Sequence, residues 1–109
     1  MSYFDADMKL LPLDSEGWEI YSGMDGAGLA AHNMTRATQK ALEMITEEVS
    51  RGSGILTAAK QAYTHVYETL EKYRDYGAVD TEPRGILIGI LEEFVRRRFE
   101  ADIDLYWEV

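Results

Sequence analysis

The residues best placed to do chemistry are three glycines. Gly23, Gly26 and Gly28 fall in YSGMDGAGLAAHNM, residues 21–34, between a segment with strand character and one with helical character. A glycine loop leading from a strand into a helix offers a phosphate its free amides and the positive end of a helix dipole. The spacing does not match that chemistry. A dinucleotide fingerprint reads G-x-G-x-x-G, whereas this chain reads G-x-x-G-x-G. A phosphate-binding P-loop continues with Lys and Ser or Thr, and here Leu29 and Ala30 follow. Asp25, inside the loop, repels what the amides attract. The stretch therefore reads as a flexible crossing into a helix, with Gly23, Gly26 and Gly28 as the candidates for any small-ligand or nucleotide site.

Other chemistry is thinner. Arg96, Arg97 and Arg98 concentrate positive charge that suits a phosphate or an acidic partner. Glu92, Glu93 and Asp102 each lie four residues from one of them, the spacing of a neutralised, salt-bridged helix face. Asp5-x-Asp7 and Asp102-x-Asp104 pair carboxylates on one side of an extended chain, but calcium loops need more oxygens and a glycine that neither pair has. His32 and His65 lack metal-ligand spacing. No serine sits in a nucleophile motif, and with no cysteine there is no thiol nucleophile, zinc ribbon or disulfide framework. Neither a catalytic residue nor a metal ligand nor a cofactor follows from these patterns. Tyr and Trp are the residues that carry protein interfaces, and Tyr76 and Tyr106 are the tyrosines best placed for one. With Asp102, Asp104, Arg96 and Arg97 they form the set of partner-binding candidates.

The chain that must position these residues has 109 of them, the size of a single domain spanning 1–109. Its formal charge is −9, which repels nucleic acid and anionic membranes and favours a basic partner. The N-terminal MSYFDADMKLL is acidic and lacks the basic start of a secretory signal, and no apolar run is long enough for a membrane span. A cytoplasmic protein is expected.

Periodicity supplies the elements. Met8–Leu13, the turn residues Asp14 to Gly17, and the alternating Trp18–Ser22 predict an N-terminal hairpin. Leu29, Met34, Ala37, Ala41, Met44, Ile45 and Val49 step by threes and fours and predict a helix over about 28–50, stopped by Arg51-Gly52-Ser53-Gly54. Leu56, Ala59, Tyr63, Val66, Leu70 and Tyr73 keep a 3-4-3-4-3 seam, so a helix over about 55–76 folds back on the first. A third helix, about 82–100, opens near Asp80, Thr81 and Pro83 and is apolar round much of its girth, hence central. Within it Gly85 and Gly89 make a G-x-x-x-G face for close packing or for a homodimer. Ile103, Leu105, Trp107 and Val109 alternate with polar residues and predict a last strand.

The expected fold is α+β: three helices on a small antiparallel sheet made by the N-terminal hairpin and the C-terminal strand, in the order ββαααβ. The expected function is non-enzymatic: a small acidic protein that binds another protein. Inhibitors, immunity proteins and accessory factors of phage or mobile elements share this profile, and mimicry of nucleic acid by the acidic face is its sharper form. The expected partner is a basic protein, with no direct contact to nucleic acid or membrane. A small-ligand or nucleotide binder using the Gly23–Gly28 loop and a subunit of a homo-oligomeric or structural assembly are the alternatives.

Overall fold

The structure, a computed structural model, describes residues 2–20, 26–75 and 83–109, with backbone alone for 73–75. Three helices carry it: α1 (Ala27–Ser50), α2 (Ile55–Asp75) and α3 (Arg84–Phe99), followed by one 3-10 turn, Leu105–Trp107. The three expected helices are present, each within two residues of its expected ends.

Gly26 starts α1 with φ 88°, a conformation that glycine reaches without the clash a side chain would meet. At the other end the chain closes a Schellman turn. Gly52, at φ 98°, donates its N–H to Val49 O at 3.0 Å, and Ser53 donates to Glu48 O at 3.0 Å. Arg51 spans the last turn to Glu47 (2.6 Å) and Glu48 (3.0 Å). This stop turns the chain back, and α1 and α2 make the most extensive contact between elements.

The middle of the α2 seam is buried as its spacing predicts: Ala59, Val66 and Leu70 are fully enclosed and Tyr63 nearly so, while Leu56 is half-buried and the side chain of Tyr73 lies outside the described residues. The α1 stripe differs in phase. Leu29 is 63% exposed, and the buried line runs through Ala27, Ala30, Ala31, Met34, Ala41 and Ile45. Alanine has the highest helix propensity and needs little room, so small residues rather than the bulkier Leu29 face the neighbouring helix. Leu87, Ile88, Ile90, Leu91, Phe94 and Val95 bury α3 over much of its girth. Gly89 is approached by the ring of Tyr3, 3.4 Å from where a Cβ would stand, and Gly85 faces open space, so only half of the G-x-x-x-G pair serves close packing. Asp80 and Thr81, expected to cap α3, lie outside the described residues; Pro83 precedes its first turn.

The expected sheet is not there, and the fold is all-α. Among the described residues the N-terminal segment shows only isolated bridges, an antiparallel one between Phe4 and Leu10 and a bridge residue at Ile20. Residues 14–19 coil where the second strand is expected to begin, and Ile20 is that isolated bridge residue; Tyr21 and Ser22, the rest of that expected strand, lie outside the described residues. Trp18 N–H donates to Asp14 O (3.0 Å), Ile20 N–H to Ser15 O (2.7 Å), and Asp14 Oδ1 accepts from Gly17 N–H (2.8 Å). Local bonds thus consume the donors that a strand would present to a neighbour. Trp18 and Ile20 still point inward, as their alternation predicts, and the indole N–H of Trp18 donates to Thr35 Oγ1 at 2.9 Å. The C-terminal strand fails for the same reason: Glu108 N–H closes back on Leu105 O (3.0 Å). Leu105 is enclosed but Trp107, on the predicted inner face, is 78% exposed.

Candidate functional site

The C-terminal segment leaves α3 at Glu100, whose left-handed φ of 53° turns the chain away from the helix axis. Leu105 then plugs into the core with no exposed surface. Its N–H donates to Glu92 Oε2 at 2.9 Å, so a helix carboxylate holds the main chain beside the plug. From α3, the guanidinium of Arg84 donates to Tyr106 O (3.2 Å) and Val109 O (3.0 Å). The same group lies 4.8 Å from the centre of the Tyr106 ring and 5.8 Å from that of Tyr63 on α2, within cation–π reach of both. Lys60 of α2 reaches Glu108 at 3.8 Å.

The result is an aromatic knob. Tyr106 and Trp107 stand edge to face with centroids 5.0 Å apart, 51% and 78% exposed. Asp102, Asp104 and Glu108 are exposed along the same short segment. Chemically the knob offers an apolar, polarisable indole beside carboxylates.

The other expected partner-binding residues do not join it. Arg97 belongs to a different cluster, where it donates to Glu93 Oε2 (3.3 Å) and to Ser2 Oγ (3.0 Å). Arg96 is exposed on α3 and makes no ion pair among the described residues. Arg98 lies 5.8 Å over the ring of Phe99. Of the three expected arginine–carboxylate pairs, only Glu93 with Arg97 forms, because Glu92 is engaged by Leu105. Tyr76 and Gly23 lie outside the described residues. Gly26 serves the turn into α1, and Gly28 is exposed in its first turn with no atom near the place of a Cβ.

The sequence reading missed Arg84 and Trp107 as parts of one site. Arg84 is 22 residues from Tyr106, and no local spacing links them. An arginine immediately after Pro83, at the start of a helix where cations face an unfavourable dipole, was the available signal.

Glu93 organises the N-terminal segment as Glu92 does the C-terminal one. It accepts from Tyr3 N–H (2.9 Å), from the Ser2 hydroxyl and from Arg97. Burial alone pushes its carboxyl up, but the bonds from Ser2, Tyr3 and Arg97 together with the arginine's charge outweigh that, and the group sits below its ordinary 4.5.

A groove of about 710 Å³ runs between residues 7–10, the second half of α1, and Phe94 and Arg98. Its apolar floor of Leu10, Leu42 and Phe94 is largely covered by neighbours, each residue 6–7% exposed. Among the described residues no three of His, Asp and Glu gather for a metal ion, and no helix is long and apolar enough to cross a membrane. Comparisons with protein-family models, with curated proteins and with solved structures find no match.

Proposed function

We propose that this protein acts without catalysis, in the cytoplasm, by binding another protein through Tyr106 and Trp107. The observation that carries the reading is an indole 78% exposed on a segment fixed by a buried leucine, a helix carboxylate and a helix arginine. An exposed tryptophan on a free tail would lose conformational freedom on binding; one already held in place loses little, and preorganised Trp and Tyr are the usual centres of interface energy. The flanking Asp102, Asp104 and Glu108, with the net charge of −9, favour a partner with a basic face.

The test is a comparative pull-down from the native source with wild type and Trp107→Ala, followed by titration of each recovered protein at low and high salt. The reading expects at least one protein lost with the variant, its affinity for the wild type falling as salt rises. Identical recovery with both baits would overturn it.

A further inference from the structure

A second surface has the opposite electrostatic character. On α1, His32, Arg36 and Lys40 follow one another at intervals of four, and all three are exposed. That spacing stacks them into one ridge along the outside of the helix. Lys72 approaches from α2, and with Asn33, Arg36, Ala37, Lys40 and Thr69 it lines a groove of about 380 Å³ to which no carboxylate contributes among the described residues. Arg36 also lines an adjoining groove of about 340 Å³, which His32 shares and whose far wall carries one carboxylate, Asp14.

In this chain such a gathering runs against the background. Acidic residues outnumber Lys and Arg by 20 to 11, yet Arg36 and Lys40 meet Lys72, which has an interaction of its own, at a groove with no acid in its wall among the described residues. Arg51 and Arg97 lie against glutamates of their own helices. Arg36 and Lys40 make no ion pair among the described residues, and like charges four apart on a helix repel each other. A groove lined by one sign of charge focuses potential toward a counter-ion. The planar guanidinium suits two oxygens of one phosphate, the ammonium groups supply point charges, and the Thr69 hydroxyl adds a neutral donor. The volume lies in the range of small-ligand sites.

We propose that the groove between α1 and α2 binds a small anion carrying two or three linked phosphates, with Arg36, Lys40 and Lys72 as its cationic contacts. The shared chemistry is the phosphate chain, whether inorganic or borne by a nucleotide. This site is independent of Trp107 and of any protein partner.

The experiment is isothermal titration with inorganic tripolyphosphate and, in a second arm, ATP. Wild type, the double variant Arg36→Gln/Lys40→Gln, and a control that removes equal charge elsewhere, Lys9→Gln/Arg96→Gln, are compared. Saturable one-to-one binding is expected, weakened about tenfold or more in the first variant through loss of charge-assisted bonds. The control, whose charges do not line the groove, changes affinity by less than about twofold. Stronger binding of ATP than of tripolyphosphate assigns the natural ligand to the nucleotides, and equal binding assigns it to the phosphate chain alone. No saturable binding of either, equal weakening in both variants, or tighter binding of a single-stranded oligonucleotide than of tripolyphosphate overturns the proposal. Trp107→Ala retains wild-type affinity for tripolyphosphate, which separates failure here from failure of the protein-binding reading.

Discussion

The two irregular ends of the chain are held by the same device and do opposite things with their aromatic residues. Adjacent glutamates of α3 each take a main-chain N–H from one end: Glu93 from Tyr3, Glu92 from Leu105. The N-terminal segment then buries Phe4 against Phe94 and hides Trp18 completely. The C-terminal segment buries only Leu105 and leaves Tyr106 and Trp107 in solvent. Anchoring and burial are thus separable. The N-terminal segment completes the core, whereas the C-terminal one uses a single plug to hold a surface in place.

The contrast is most sharply tested by its two tryptophans. Trp18→Ala removes a fully buried indole and its hydrogen bond to the Thr35 hydroxyl, and is expected to lose about 3–5 kcal/mol in urea denaturation. Trp107→Ala, the same exchange 89 residues later, is expected to stay within about 0.5 kcal/mol of wild type. Equal losses would abolish the distinction. Leu105→Ala comes next, at about 2–4 kcal/mol, since it empties the plug beneath the knob. A loss as small as that of Trp107→Ala would mean that the knob is not fixed to the core.

The glutamates give smaller effects. Glu93→Gln is expected to lose about 1–2 kcal/mol at neutral pH, because three donors then meet a neutral acceptor in a nearly enclosed site. The pH dependence has a definite sign. The folded carboxyl titrates below its ordinary 4.5, so its contribution is complete above that value and is lost as pH falls through the folded one. Urea midpoints measured across that acid window should fall with pH in the wild type and less so in Glu93→Gln; parallel curves would remove Glu93 from the account. Glu92→Gln is expected to lose only about 0.5 kcal/mol at neutral pH, since an amide oxygen can still accept the one bond from Leu105.

The helices were legible because their signals are local. The α2 seam and the Arg51–Gly54 stop each state their structure within a few residues, and the side chains bury and turn as that spacing requires. The ends were not legible. Alternation at Trp18–Ile20 is met by a coil that turns both side chains inward, and alternation at Ile103–Val109 breaks at Trp107, so neither makes a sheet. Helical spacing pairs Glu92 and Glu93 with Arg96 and Arg97. Their main-chain partners, Leu105 and Tyr3, stand 13 and 90 residues away, and no helical spacing reports such a bond. For the site, Tyr106 and its neighbouring acids were found by residue type alone. Arg84 was missed because only the tertiary fold brings it to that ring, and the ridge of His32, Arg36 and Lys40 was overlooked beside the more conspicuous run of three arginines.

The chain has two tryptophans, one wholly enclosed and one almost bare. That makes the protein its own two-channel fluorometer. Emission from Trp18 arises in an apolar cage and changes only when the core opens. Emission from Trp107 is water-relaxed and open to collisional quenchers. A partner that covers the knob shifts the second component to the blue and shields it from iodide, with the first unmoved, so occupancy and unfolding can be followed separately in one unlabelled sample.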